Sequence, residues 1–274
     1  MKYVLRFIAL GYLAAVLVGP VGLVFYRAFE HGFDTFWAAV TTPEALHALW
    51  LTVLIAAIAV PLNTAFGILC ALVIVRHRFR GVGILNALVD LPLALSPIVV
   101  GLSLLLLYGR EGWFGEVLAA QGIQVIFSLP GMILATIFVS LPFVVREVVP
   151  VLREIGTDQE QAAATLGAGS FHTFRRITFP AIRWAVAYGV VLTTARALGE
   201  YGAVAVVSGR IVGATETLTL HIDERYLAFD QTGVYTTAVV LAVLAVVTLV
   251  AMNMLGRKEW LGGDHGPAGN ETLR

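Results

Sequence analysis

The 274-residue sequence is 58% hydrophobic and only 13% charged, with a mean hydropathy of +0.86, against roughly 45–50% apolar and about 25% charged residues in soluble domains; it reads as an integral membrane protein. A formal net charge of zero and a pI near 7.0 leave no surplus of Lys and Arg to track a phosphate backbone, which excludes nucleic acid as a partner. The single cysteine, Cys70, sits in an apolar run, so it closes no internal disulfide and cannot by itself build a cysteine metal site.

A hydrocarbon core about 30 Å thick takes about 20 apolar residues in a helix rising about 1.5 Å per residue. Six runs of that kind follow one another: residues 7–26, 51–75, 84–108, 126–149, 182–207 and 234–255. The first follows Lys2 and Arg6 as a signal peptide would, but its apolar stretch is long and no Ala-x-Ala cleavage site follows, so it is expected to remain as span one. Pro20, Pro61, Pro92, Pro97 and Pro142 fall in the spans. In lipid, backbone groups freed by proline need neighbouring helices, hydroxyl side chains or water, so a bundle with kinked helices is expected. Small residues such as Gly11, Ala14, Ala15, Gly67 and Ala71 would let helices approach closely.

Between spans four and five lies EQAAATLGAGSFHTFRRITFP, residues 160–180. Thr157 and Glu160 have the spacing of a capping box, which starts a short helix, and Gly167 stands where a left-handed residue would end it. Ser170 can cap a second short helix, with Phe171, Phe174 and Ile177 on one side and Arg175 and Arg176 off it; Pro180 closes it and can open span five. Ala162, Ala163 and Leu166 would form a flat surface. Helices this short are marginal in water, so the segment must be held by the bundle, by a partner with a groove for small residues, or by lipid headgroups.

Span five carries Arg196 and Glu200 one helical turn apart, well inside the membrane if the helix starts near Ile182. Ionisable groups there face the bundle interior or water. Two readings stand: Arg196 lines an anion route, or it and Glu200 neutralise each other and hold the bundle. Gly199 and Gly202 loosen the same helix, as a hinge or gate requires. The loop 208–233 mixes Arg210, Glu216, His221, Asp223, Glu224, Arg225 and Asp230, which suits docking of a soluble protein or an ordinary solvated loop. His221, Asp223 and Glu224 have no recognised ligand spacing, so no metal site is assigned. A polar tail occupies 262–274, and the whole of 1–274 reads as one transmembrane domain.

Thirteen of the eighteen Lys and Arg residues precede span one, separate spans two and three, flank or fill the gap between spans four and five, or follow span six. By the positive-inside rule both termini and 157–180 are expected in the cytoplasm. The sequence has no G-x-x-x-x-G-K-[ST] phosphate loop, no H-E-x-x-H and no G-x-S-x-G. No catalytic residue or cofactor is therefore assigned, and energy for transport would have to come from elsewhere.

The segment 157–180 resembles the cytoplasmic EAA signature of ATP-binding-cassette (ABC) importer permeases, in which Glu-Ala-Ala is followed after three residues by Gly and after nine more by Ile-x-Leu-Pro. Gln161, Ala162, Ala163, Gly167, Ile177, Phe179 and Pro180 stand at that spacing. Gln161 replaces the usual acid, with Glu160 beside it, and Phe179 replaces Leu. ARALGEYGAVAVVSGRIVGATETLTLHI, residues 195–222, is similar to the sulfate/thiosulfate permeases, especially the W-type subunit, with Tyr201 where Phe is common. Molybdate and tungstate permeases share the Arg-Ala-x-Gly-Glu part; the VVSG run ending in Ser208 and Gly209 tilts the likeness to sulfate.

The resemblance implies an all-α membrane protein with six transmembrane helices of the type I ABC importer permease fold and a cytoplasmic coupling helix. It implies that Glu160, Gln161, Ala162, Ala163, Gly167, Ile177 and Pro180 dock onto a dimer of ATPase subunits. Arg196, Gly199, Glu200 and Ser208 become candidates for the path or gate. The implied partners are a homologous T-type permease, an extracytoplasmic sulfate-binding protein and membrane lipid, in a bacterial cytoplasmic membrane. The rival expectations are a molybdate or tungstate permease of the same type, and an ion-gradient-driven transporter or channel using Arg196 and Glu200.

Overall fold

The computed structural model describes residues 2–77 and 79–260; Arg78 and the polar tail expected at 262–274 lie outside the described residues. All elements among those residues are helical. Helix α1 (Lys2–Leu13) runs through a π turn (Ala14–Val18) into α2 (Gly19–Phe29), and α3 (Phe33–Val40) leads to α4 (Pro43–Arg76). Then come α5 (Val82–Ala94), α6 (Pro97–Tyr108), α7 (Gly115–Ala120), α8 (Leu129–Ser140), α9 (Pro142–Glu154) and α10 (Asp158–Thr165). Helix α11 (Ser170–Thr173) passes through a second π turn (Phe174–Thr178) into α12 (Phe179–Leu198), followed by α13 (Gly202–Val207), α14 (Leu218–Leu227) and α15 (Gln231–Trp260).

Five stretches are long and apolar enough to cross a membrane: Tyr3–Phe29, Pro43–Arg76, Leu129–Glu154, Ser170–Leu198 and Gln231–Thr248. The run expected as span three, 84–108, is instead a bent pair, α5 and α6, turned by 111° and countable as a sixth span only if taken together. Leu95 and Ser96 are both extended (ψ 141° and 135°) and Pro97 is the first residue of α6. A proline pushes the residue before it out of the helical region, which ends α5 there. The run expected as span five, 182–207, is also broken: α12 stops at Leu198, and α13 starts afresh at Gly202. The two broken-off pieces pack together. A methyl group on Gly202 would lie 2.8 Å from Pro97 Cβ, and one on Gly101 would lie 2.8 Å from the Ala203 carbonyl oxygen, so α6 and α13 meet backbone to backbone.

Not every proline breaks its helix. Pro61 lies inside α4, which runs unbroken for 34 residues, about 51 Å. Pro20 and Pro180 each stand two residues after a π turn, where the intervening amide reaches back five residues: Gly19 N–H to Ala14 O, and Phe179 N–H to Phe174 O. The widened turn moves the carbonyl that a proline ring would strike, so both helices continue through.

Helix α4 is the central rod, packed against α8, α9 and α12. One core cluster joins Cys70, Ala71, Ile74, Val89, Val144, Val148, Leu152 and Ile182 at the end of the bundle that carries α10. A second joins Leu51, Ile55, Val100, Met132, Val204 and Leu220 towards the other end. At the first cluster a Cβ on Gly67 would sit 2.7 Å from Val144 Cβ, and one on Gly189 2.9 Å from Val144 Cα. Glycine at both positions is what allows α4 and α12 to close on α9, as the small residues of span two suggest. Buried Asn63 of α4 donates to the Ile137 carbonyl (3.1 Å) and to Ser140 Oγ (2.8 Å), pinning the junction of α8 and α9 ahead of Pro142.

Candidate functional site

Helix α10 is seated by one arginine. Arg76, the last residue of α4, donates from Nε to Glu160 Oε2 (2.9 Å) and from Nη2 to Glu160 Oε1 (3.1 Å). The same guanidinium reaches the carbonyl oxygens of Leu152 (2.9 Å) and Gly156 (2.7 Å), at the end of α9 and in the turn beyond it. Thr178 Oγ1, from the second π turn, donates to Glu160 Oε1 at 2.8 Å. A guanidinium presents five donors in a rigid fork, which no lysine could do here. Three helix ends and the π turn therefore meet on one pair of side chains, Arg76 and Glu160, both largely withdrawn from solvent.

This geometry corrects the expected capping box. Thr157 precedes α10 but its side chain accepts no backbone N–H; its hydroxyl accepts from Gln161 Nε2 at 2.8 Å, and Glu160 turns to Arg76 and Thr178. Ser170 likewise does not cap: Gly169 holds the cap position of α11 and no side-chain bond is made. Pro180 neither closes a helix nor opens a separate one, since α11, the π turn and α12 form one rod. Gly167 does end α10 in the left-handed region, φ +83°. With Glu160 drawn inward, Gln161, Ala162 and Leu166 face out, and Leu166 is 88% exposed. Ala163 and Ile177 are half-buried. The result is an eight-residue helix held from behind, with Gln161, Ala162 and, just past its end, Leu166 turned outward.

The break between α12 and α13 holds the second group. Arg196 Nη1 lies 2.6 Å from Glu200 Oε2. The buried Glu200 carboxylate also accepts the Ala203 N–H at 2.8 Å from its other oxygen, capping α13, and its backbone carbonyl accepts from Thr219 Oγ1 at 2.7 Å. The end of one helix, the start of the next and α14 are thus tied at Glu200. Gly199 forms the C-terminal cap of α12. Ser208 is buried at the far end of α13, its Oγ accepting from the Arg210 N–H, so the structure does not bring it to the Arg196–Glu200 pair.

Further groups lie outside the set of site residues expected for coupling and path. Arg76 stands in the sequence only as one positive charge after an apolar run, and its partners lie 76 to 84 residues away. Asp90 of α5 and Arg146 of α9 form an ion pair, and Glu147 is next to it. Beyond α13, Asp223 accepts from Tyr201 Oη (2.9 Å) and Arg210 Nη1 (2.7 Å), while Glu216 approaches His221. A 520 Å³ cavity lies between the end of α6 and residues 115–127, with Arg110 and Gln124 in its lining.

Residues 63–260 match the family described as binding-protein-dependent transport system inner membrane component. The chain is 51% identical over 257 residues to the sulfate transport system permease protein CysW of Synechocystis, covering 94% of this chain and 93% of that one. It is 48% identical to the protein of the same name in Escherichia coli, over 88% of this chain and 83% of that one. The sulfate transport system permease protein CysT of Salmonella typhimurium is 36% identical over 89% of this chain and 88% of its own. The fold matches a solved bacterial ABC transporter involved in the import of the acidic polysaccharide alginate, with a TM-score of 0.78, 19% identity and coverage of 94% and 95%. A second structure of the alginate transporter, in complex with its pentasaccharide-bound periplasmic protein, matches with a TM-score of 0.76.

Proposed function

Because the chain belongs to the family of binding-protein-dependent transport system inner membrane components, we propose that it is the W-type permease subunit of an ATP-driven importer of sulfate or thiosulfate. The substrate class rests on relatives about half identical over nine-tenths of the chain that carry sulfate permease names. The observation that carries the coupling is the clamp at Arg76: it fastens α10 to α4, α9 and the π turn while leaving Leu166 and Ala162 outward. A short helix held from behind and bare in front is built to be pushed. Its bare face docks in a cleft of a separate ATPase subunit, which puts α10 and both termini on the cytoplasmic side.

A homologous T-type permease completes the pore, two ATPase subunits hydrolyse ATP beneath it, and an external binding protein delivers the anion. Closure of the ATPase dimer carries α10 with it, and the helices pass between two discrete arrangements facing in and out. Glu160, Gln161, Ala162, Ala163, Gly167, Ile177 and Pro180 form the coupling segment. At the break after α12, Gly199 supplies the flexible joint and the Arg196–Glu200 pair the structural tie next to the path, with Ser208 at the outer end of α13.

The test is labelled sulfate uptake in cells lacking this chain and then given it back, with thiosulfate and molybdate as competitors and the ATPase subunit present or deleted. Restored uptake that needs the ATPase and resists molybdate is expected. Uptake without the ATPase would overturn the coupling reading, and competition by molybdate at equal concentration would replace sulfate by the heavier oxyanion.

A further inference from the structure

The outer segment contains a side-chain cluster that the transport reading does not use. Glu216 lies just before α14, and His221 and Glu224 lie on it, three residues apart, so that they share one side of the helix. Glu216 and His221 are 1% and 3% exposed, whereas Glu224 opens to solvent. One ligand-capable atom from each of the three falls within 4.8 Å of the others. The set differs from the His221, Asp223 and Glu224 group considered on sequence. Asp223 points away to Tyr201 and Arg210, and Glu216, five residues before His221, takes its place.

The cluster is incomplete as it stands. Glu216 Oε1 lies 3.0 Å from His221 Nδ1, but Oε2 is fully buried and finds no hydrogen-bond donor. A buried carboxylate oxygen without a donor has lost its water and gained nothing in return, so such atoms call for a partner. The Glu216 and Glu224 carboxylates also lie close together, with an oxygen of each within 4.8 Å of the other. The nearby fixed cation is Arg225, and it is shared with Asp230 at 3.6 Å. One divalent cation would both occupy the orphaned oxygen and cancel the repulsion between the carboxylates.

We propose that Glu216, His221 and Glu224 form a binding site for a divalent cation of the zinc class, open to water on the Glu224 side. One imidazole and two carboxylates suit zinc and its neighbours, whereas calcium prefers oxygen ligands throughout. Bonds of about 2.0–2.2 Å place tetrahedral ligand atoms roughly 3.3 Å apart, so closure asks for little beyond a rotamer change at the exposed Glu224. The ion would staple residues 208–217 to α14. That helix is tied to the α12–α13 break by Thr219 Oγ1 on the Glu200 carbonyl, and to α4 by the Leu218 N–H on Thr52 Oγ1 at 2.9 Å. Occupancy therefore stiffens the outer wall beside Glu200.

The test uses the complete transporter, purified with a tag free of histidine and stripped with chelator, titrated with Co2+ as a coloured stand-in for zinc. One Co2+ per copy of this chain, with a tetrahedral visible absorption band that added Zn2+ displaces, is the expected result. Glu224→Gln, at an exposed position that leaves the fold intact, should weaken Co2+ at least tenfold; His221→Gln should abolish the band. Absence of saturable Co2+ binding, or a band that survives both substitutions, overturns the proposal. Absence of metal binding together with a pH-dependent melting temperature abolished by Glu224→Gln would also overturn it, by showing that the two carboxylates share a proton instead.

Discussion

Deleting the Arg76 guanidinium removes the seat of α10 with little other damage. Arg76→Met keeps the aliphatic stem and removes two hydrogen bonds to Glu160 and one each to the carbonyls of Leu152 and Gly156. Breaking a fully buried ion pair from one side costs about 3–5 kcal/mol. Here the two side chains retain 13% and 22% exposure. Water takes over part of the lost bonding, and about 2–3 kcal/mol is the expected loss. It falls on α10 and not on the whole fold, because the core around Val148, Leu152 and Ile182 is untouched. At about 1.4 kcal/mol per decade, α10 should leave its seat about 30- to 150-fold more often. Amide hydrogen exchange in the purified transporter should therefore speed up by that factor across Asp158–Thr165 and stay unchanged in α4 and α12. In proteoliposomes, sulfate uptake should fall while basal ATP hydrolysis persists. Arg76→Met and Glu160→Met, combined in a double-mutant cycle, should show a coupling energy of at least about 1 kcal/mol. Unchanged exchange in Arg76→Met, or strictly additive single variants, would refute the clamp.

Leu166→Asp should leave the melting temperature of the chain unchanged, since the side chain is 88% exposed, yet abolish co-purification with the ATPase subunit; retained co-purification would rule out that face as the docking surface. Gly189→Ala should destabilise the detergent-solubilised protein by about 1–3 kcal/mol, because the added Cβ falls 2.9 Å from Val144 Cα. Gly11→Ala, with nothing within 4 Å, serves as the neutral control for the same fluorescence melt. Glu200→Ala should cost about 3 kcal/mol by leaving Arg196 without its carboxylate and α13 without its cap. Arg196→Gln with Glu200→Gln should melt higher than Glu200→Ala, and a lower melting temperature would mean that the pair is more than a neutralising tie.

How much of this was legible depends on the range of the interaction. The apolar runs gave the rods because twenty apolar residues have few other uses in a chain this hydrophobic. Gly167 was legible because only a residue without Cβ takes φ +83° cheaply at a helix end. The breaks at Leu95–Ser96 and Gly199–Tyr201 escaped hydropathy analysis since both pieces of each run stay apolar; the Ser96-Pro97 step and the glycines flanking Glu200 were the available signals. Pro180 misled in the opposite direction, because a π turn absorbs the proline without breaking the rod. Glu160 was assigned to a local cap when its partner lay 84 residues upstream. Local spacing has no term for such a contact, and the stronger charge-assisted bonds to Arg76 win over a cap bond to a backbone amide.

The same long-range ties set what can move. Helix α4 carries Arg76 at one end and Thr52 towards the other, about 36 Å apart along the axis at 1.5 Å per residue. It therefore links the seat of α10 to α14 through a single rod, Thr52 Oγ1 accepting the Leu218 N–H. Helix α12 joins the π turn at Thr178 to Glu200 in the same way, since α12 is continuous to Leu198. On the proposed coupling, a push on α10 would be carried along both rods to the end that holds Thr52 and Glu200. The compliant points are those where the helical hydrogen-bond ladder is interrupted, at Leu95–Ser96 and Gly199–Tyr201, and the two pieces beyond them, α6 and α13, are packed as one unit through Gly101 and Gly202. Motion of that unit about the two breaks leaves the cluster around Val144 and Leu152 intact and shears only the other, where Val100 and Val204 meet Leu51 and Met132. Cross-linking α6 to α13 should therefore spare transport, whereas cross-linking α13 to α4 should stop it.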